Sequence, residues 1–257
     1  MSIPIGYPYL FFLLFIRLLA FLASAPFFNQ RIVPTQAKIG LAFLLAFLLA
    51  PSAPAPAIPP TDIAFFTLLV QEILIGLLLG FAAILPIFAI SLVGTLVAGA
   101  MGMSYATSIS PIFPESTTPF SQLYTHLALL VFLLIRADQV LLLGLKRMVE
   151  LMPPGQLLSD ALSLSDGLIV ERMITFTSRV WEVSLQLALP VIGVVLLADL
   201  ALVLISRAMP RMNVFSQSLP LKIAMGLITI FLSLPYFWPQ VAREVDRAGE
   251  QMLLLFR

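Results

Sequence analysis

The sequence predicts an all-α membrane protein with about five to seven hydrophobic helices. Hydrophobic residues make up 60% of the 257 positions and charged residues 11%, with a mean hydropathy of +1.06. A soluble domain is nearer to half apolar and a quarter charged. Several uncharged runs are long enough to enter a bilayer, and proline and glycine lie inside them. These observations together predict helices that are interrupted by proline and glycine and packed as helical hairpins.

Composition also excludes several functions. The net charge of +1 provides no basic face for nucleic acid. The chain has no cysteine and a single histidine, His126, and it has no paired-carboxylate, phosphate-loop or nucleophile motif. We therefore expect no metal, no cofactor and no enzyme activity. The first positive charge, Arg17, lies inside the first apolar run, so we expect that run to be retained and not cleaved as a signal peptide.

The first third of the chain contains two apolar runs and a rigid linker. Residues 7–25 form the first run, and residues 39–50 form a shorter one of about 18 Å if helical. Five prolines in residues 51–60 predict an extended linker, because proline removes backbone donors. Thr61 and Asp62 then predict the start of a helix.

The stretch from residue 73 to 114 contains no charged residue over 42 positions. Residues 63–85 and 87–103 are predicted to be two helical halves broken at Pro86. They lead into a segment rich in Ser, Thr, Pro and Phe, residues 104–122, in which Glu115 is the one charged residue and which we interpret as a plug-like loop.

The remainder is predicted to be helical, with strong interruptions, and we expect one domain over residues 1–257. Its predicted segments are an apolar helix (123–135), an amphipathic helix (140–152), a polar extramembrane connection (156–179), a span (183–205), a last span broken at Pro235 (221–238) and an amphipathic tail (241–257).

The plug-like loop carries unusual apolar side chains for an exposed segment. Hydrophobic constrictions close pores by excluding water, and methionine adapts to changing shapes. We favour a seal over an ordinary exposed loop. The candidate plug residues are Met101, Met103, Tyr105, Ile109, Phe113 and Phe120.

Small residues recur at a spacing of four. Gly76 and Gly80 form a GxxxG motif, and Gly94, Ala98 and Gly102 form a second ridge. Such ridges let helices approach closely in a membrane. Packing within this chain and packing against partner subunits are both open from the sequence.

Four ionisable residues lie in or beside apolar segments: Arg17, Glu72, Asp199 and Lys222. Facing lipid would be costly, so we expect them to be buried in protein or to face water. Salt bridges between helices or subunits are favoured over a proton relay, because no series of carboxylates and histidines connects them.

The block Arg207-Ala-Met-Pro-Arg-Met-Asn-Val-Phe215, followed by Pro220-Leu-Lys222, resembles the FliR family. FliR proteins are flagellar type III export-gate subunits, related to the SctT proteins of injectisomes. Glu72 with the two glycines that follow it matches the family pattern E-x-x-x-G-x-x-x-G, and residues 151–155 look flagellar. Two positions depart from the family pattern: Ser110 replaces an Asp before proline, and Arg136 to Asp138 replace a Gly-His pair.

The resemblance implies a structural and gating subunit within a hetero-oligomeric helical assembly in the bacterial inner membrane, at the flagellar basal body. It implies FliP-like, FliQ-like, FlhA-like and FlhB-like partners and unfolded flagellar substrates. It makes residues 106–122 the plug, and it adds Pro210, Asn213 and Phe215 to the packing residues. An injectisome subunit and a secondary transporter are the alternatives.

Overall fold

The computed structural model describes residues 6–25, 33–54, 61–103, 118–155, 168–209 and 214–254. Within these ranges the chain forms α-helices and one short 3-10 turn, Ala50–Ser52, and no strand. The all-α prediction is confirmed. The helices are α1 Gly6–Ser24, α2 Thr35–Leu49, α3 Asp62–Ala100, α4 Pro119–Leu134, α5 Ala137–Leu151, α6 Leu168–Ala208 and α7 Val214–Leu254.

Five of these helical segments are long and apolar enough to cross a membrane. They are Tyr7–Ser24, Thr35–Ser52, Asp62–Ala100, Glu171–Ala208 and Ser218–Glu244. Helices α4 and α5 together pass the same test but bend by 71° at the junction between them, where Arg136 adopts a left-handed φ of 54°. The protein is therefore membrane-embedded, with five candidate spans or up to six.

The predicted breaks at Pro86 and Pro235 are wrong. Helix α3 is continuous over 39 residues through Pro86, and α7 continues through Pro235. A proline removes one backbone hydrogen bond, and in a membrane protein neighbouring groups and local bending absorb that loss. Helix α6 likewise contains Pro190.

Two predicted segments are continuous with the neighbouring spans. The polar helical connection was predicted over residues 156–179, and its described part, from Leu168, runs into the span as one helix, α6. The amphipathic tail from residue 241 is the last part of α7 as far as Leu254. A helix can continue from an apolar into a polar stretch of sequence. The polarity of its side chains decides which environment the helix faces, and it does not decide where the helix ends.

The chain contains two compact units. The first comprises Met1–Leu85, Arg136–Thr177 and Asp246–Arg257, and the second comprises Pro86–Ile135 and Ser178–Val245.

The first unit has its core between α1 and the first half of α3. The α1 residues Leu10, Leu14 and Leu18 are fully buried, as are Ile75 and Leu79 of α3. Helix α2 adds an aromatic contact: the rings of Phe43 and Phe11 meet edge to face at 5.1 Å.

The second unit is built from the second half of α3, α4 and parts of α6 and α7. Ile90, Val93 and Val97 of α3 are fully buried. Ser184 of α6 donates a hydrogen bond to the carbonyl oxygen of Ala89 at 2.8 Å. Tyr124 of α4 and Phe237 of α7 contact edge to face, with ring centroids 5.1 Å apart.

Candidate functional site

The end of α3 fixes the direction in which the chain enters the predicted plug. The Met103 amide donates to the Ala98 carbonyl at 3.0 Å, and the Gly102 amide donates to the Gly99 carbonyl at 3.0 Å. Gly102 has a φ of 81°. This pair of bonds is the Schellman motif, which satisfies the last helical carbonyls and needs a left-handed residue that glycine supplies without strain.

The segment that follows α3 ends at the N-terminus of α4, which is also well defined. Thr118 is the N-cap of α4, and its side-chain oxygen accepts a hydrogen bond from the Ser121 amide at 3.2 Å. Pro119 occupies the first helical position, where a missing N–H costs no hydrogen bond. Thr118 is buried. A Thr-Pro pair ahead of an apolar run is a helix-start signal that was readable from the sequence but was missed.

The first turn of α4 lies directly against α3. A Cβ on Gly94 would come within 2.5 Å of the Phe120 carbonyl oxygen and 2.6 Å of the Ser121 Cα, so only glycine allows this approach. The hydroxyl groups of Ser91 and Ser121 lie 3.0 Å apart and share a hydrogen bond. Ser91 precedes Met101 by ten residues, so the two ends of the segment attach to α3 within about 15 Å of each other along its axis.

This geometry corrects one end of the plug. The plug-like loop was expected to extend to residue 122 and to include Phe120, but Phe120 lies in α4 and is buried. The capping signal at Thr118 starts the helix earlier than hydropathy alone indicates. The candidate segment is therefore shortened to residues 104–117.

A methionine from the candidate plug set packs into the second unit. Met101 is fully buried, and its side chain lies at Gly226 of α7, where an added Cβ would collide with the terminal methyl group and meet the sulfur at 3.0 Å. Gly226 was not among the predicted packing residues, and a lone glycine in an apolar span carries no distinguishing signal. Met103 is half-buried.

Other candidate residues fall outside the described part of the chain. Tyr105, Ile109 and Phe113 lie within residues 104–117, and Pro210 and Asn213 lie within residues 210–213. The backbone of Phe215 belongs to α7, and the structure does not describe its side chain.

The first unit contains a buried ion pair that joins three segments. The Arg17 Nε donates to Glu72 Oε2 at 2.5 Å, and the two side chains are 2% and 0% exposed. Arg17 Nη1 also donates to the Met152 carbonyl at 2.7 Å, and the Gly155 amide donates to Glu72 Oε1 at 3.0 Å. The pair therefore connects α1 and α3 to the turn that follows α5.

The glycines after Glu72 let α1 approach this pair. A Cβ on Gly76 would collide with the Arg17 carbonyl and with Ala20, and one on Gly80 would collide with Ser24. Both glycines of the GxxxG motif therefore face α1 of the same chain. This is one of the two arrangements that the sequence left open.

The second unit holds two further ion pairs between α6 and α7. Lys222 Nζ lies 2.5 Å from Asp199 Oδ1, with the two side chains 19% and 45% exposed, so Asp199 is only half-buried within this chain. Arg179 donates from Nε and Nη2 to the two carboxylate oxygens of Glu244 at 3.2 and 3.0 Å. The second pair was not predicted from the sequence, because 65 residues separate its members.

Among the residues that the structure describes, no group of three or more His, Cys, Asp or Glu side chains is placed to hold a metal ion. The candidate site therefore consists of close helix contacts, buried charge pairs and a segment attached at both ends.

These features define a class: a helical protein embedded in the membrane. The chain belongs to the family described as bacterial export proteins, family 1, whose model matches residues 9–248.

Individual relatives support the assignment. The flagellar biosynthetic protein FliR of Escherichia coli strain K12 is 31% identical over 230 residues, covering 90% of this chain and 86% of the relative. FliR of Bacillus subtilis strain 168 is 30% identical over 242 residues, covering 94% and 92%. The secretion system apparatus protein SsaT of Salmonella typhimurium is 28% identical over 186 residues, covering 72% and 70%. The resemblance to the FliR family is confirmed.

Proposed function

We propose that this protein is a structural and gating subunit of the flagellar type III protein export channel, in the inner membrane at the flagellar basal body. The observation that carries the proposal is the family match over nearly the whole chain, from residue 9 to residue 248. FliR of Escherichia coli and FliR of Bacillus subtilis are 31% and 30% identical to the chain, whereas SsaT is 28% identical, which favours the flagellar system.

The gating part of the proposal concerns residues 104–117. Both attachments of this segment are structurally defined: a Schellman motif on α3 at one end and a capped, glycine-packed helix start at the other. The segment is uncharged apart from Glu115, and it carries Tyr105, Ile109 and Phe113. A nearly uncharged segment that carries apolar side chains and is attached at both ends suits a seal that excludes water and ions until a substrate displaces it.

The partners follow from the family resemblance. We propose that the chain assembles with FliP-like and FliQ-like subunits, next to FlhA-like and FlhB-like components, and that unfolded flagellar proteins pass through the assembly. Many large apolar side chains on α6 and α7 are exposed in the single chain, which supports burial against lipid or neighbouring subunits.

The seal can be tested by exchanging the segment for one without apolar side chains. Residues 105–116 are replaced by a Gly/Ser sequence of equal length, which leaves Met103 and the Thr118 cap in place. We expect the assembled complex to leak small ions, measured as membrane depolarisation in cells. The matched control replaces residues 156–167 in the same way and should leave the potential unchanged. An intact potential in both variants would contradict the seal.

Two experiments separate the alternatives. Expression in a strain that lacks its own FliR should restore motility, whereas expression in place of SsaT should not restore injectisome secretion. A secondary transporter would purify as a monomer that binds a small solute and would ignore FliP-like and FliQ-like subunits. Co-purification with those subunits excludes the transporter.

A further inference from the structure

The ion pair between Asp199 and Lys222 lies well inside the hairpin of α6 and α7. Asp199 is nine residues before the end of α6 at Ala208, and Lys222 is eight residues after the start of α7 at Val214. At 1.5 Å per residue, Asp199 lies about 14 Å from the Ala208 end of α6 and Lys222 about 12 Å from the Val214 end of α7. Both lie in helices with the length and composition of membrane spans.

The pair is incompletely covered by its own chain. Asp199 exposes 45% of its side chain. Lys222 Nζ contacts Oδ1, and within the described residues the second carboxylate oxygen, Oδ2, accepts no hydrogen bond. A carboxylate that is half open to hydrocarbon is strongly unfavourable, because the membrane interior offers it no hydrogen-bond donor. Lipid is therefore a poor neighbour for this surface.

Water is also a poor neighbour. One turn on either side of Asp199, Leu196 and Val203 expose 58% and 52% of their surface, and Leu219 beside Lys222 exposes 42%. A surface open to water would leave these apolar side chains hydrated. A protein helix that is apolar overall and carries one hydrogen-bond donor would both cover the apolar side chains and donate to the open carboxylate oxygen.

We propose that this surface, defined by Leu196, Asp199, Val203, Leu219 and Lys222, is the docking face for a membrane helix of another export-complex subunit, which donates a hydrogen bond to Asp199 Oδ2. The identity of the partner as an export subunit rests on the proposed function. The Asp199–Lys222 pair then has two roles: it joins α6 to α7, and it presents a carboxylate to the neighbouring chain.

The absence of cysteine makes a direct test straightforward. Single cysteines are introduced as Leu196→Cys and Val203→Cys, labelled with benzophenone maleimide, and irradiated in membranes that co-express the FliP-like, FliQ-like and FlhB-like subunits. We expect an adduct whose crosslinked peptide comes from a membrane helix of one of those subunits.

A charge exchange separates the two roles of the pair. The variant Asp199→Lys with Lys222→Asp keeps an ion pair within the hairpin but moves the carboxylate to the other helix. If a partner recognises the carboxylate, adduct yield at Leu196→Cys should fall at least five-fold. The matched control is Arg179→Glu with Glu244→Arg on the same two helices, which should leave the yield unchanged. The monodispersity of each purified variant verifies that it folds.

Three results would contradict the proposed docking face. They are an unchanged adduct yield in the Asp199/Lys222 exchange, an adduct with a second copy of this chain, and the absence of any protein adduct at either cysteine in an assembled complex. The last result leaves the proposed function intact, because the complex has formed. Failure to co-purify with any export subunit would instead contradict the proposed function itself.

Discussion

At the residue scale, the Arg17–Glu72 pair is the most constrained feature of the first unit. Four groups from three segments meet there: the two side chains, the Met152 carbonyl and the Gly155 amide. Each charge is buried, so its stability depends on the other. The pair therefore specifies how α1, α3 and the turn after α5 fit together.

Removing one charge should destabilise the protein strongly. Glu72→Ala leaves Arg17 buried and unpaired, and we expect a loss of about 3 to 5 kcal/mol in the free energy of unfolding. The measurement is the temperature at which half of the detergent-purified protein remains monodisperse. The double variant Arg17→Met with Glu72→Leu should recover part of the loss, because no isolated charge remains. Its recovery should be incomplete, because the Met152 carbonyl and the Gly155 amide lose their partners. A fully stable Glu72→Ala variant would contradict this account.

At the scale of the elements, glycine decides how closely helices approach one another. Gly94 admits the first turn of α4, and Gly226 admits the Met101 side chain. By contrast, a Cβ on Gly193 of α6 would meet nothing within 4 Å in the chain. Glycine therefore has different roles within a single unit, and Gly193 can serve as a control for substitutions at Gly94 and Gly226.

Gly94→Leu should separate α3 from α4, because a Cβ there would meet the α4 backbone, which cannot rotate away. We expect loss of monodisperse protein, with a destabilisation at or above the 1 to 3 kcal/mol that is usual for overpacking. Gly193→Leu is the control, and the chain on its own should tolerate it. Equal behaviour of the two variants would refute the close α3–α4 contact.

Gly226→Val should displace Met101, because the larger side chain occupies the space of its terminal methyl group. Since methionine is flexible, we expect a milder destabilisation, of about 1 to 3 kcal/mol. Met101→Ala in the Gly226→Val background should restore stability by freeing that volume. A double-mutant cycle on thermal stability measures the coupling, and additive effects would show that the two residues do not share the space.

At the scale of the whole molecule, the chain exposes more apolar surface than a solitary protein in water would. Large exposed apolar residues include Phe47, Phe66 and Leu204, each between 65% and 66% exposed, and Phe231 and Leu232 at 74% and 72%. In a membrane-embedded export subunit, lipid and neighbouring subunits cover such residues. Stability is then partly a property of the assembly.

Co-expression with the FliP-like and FliQ-like subunits should therefore increase the yield of monodisperse protein several-fold over expression alone. Binding partners stabilise the folded state by mass action, because they bind it and not the unfolded chain. Size-exclusion chromatography of a tagged chain measures the yield. A co-expressed soluble protein serves as the control for expression load. Equal yields in all conditions would count against a stabilising assembly.

The sequence by itself determined the class of protein and most of the helices. Hydropathy and composition specify membrane embedding, because the bilayer selects apolar helices whatever their tertiary contacts. The E-x-x-x-G-x-x-x-G pattern and the R-x-x-P-x-x-N-V-F block indicated the family, which the match over residues 9–248 confirmed. The sequence also indicated that Arg17 and Glu72 need polar neighbours.

Only the tertiary structure decided where helices end, which residues are partners and which glycines matter. Pro86 and Pro235 lie within continuous helices, because the loss of one backbone hydrogen bond at each proline does not end a long helix. Phe120 was predicted to belong to the plug but lies in α4, because that helix begins at the Thr118 cap. The pairing of Arg17 with Glu72 across 55 residues, and of Met101 with Gly226, depends on which chain segments meet in space. Local composition carries no information about such distant contacts.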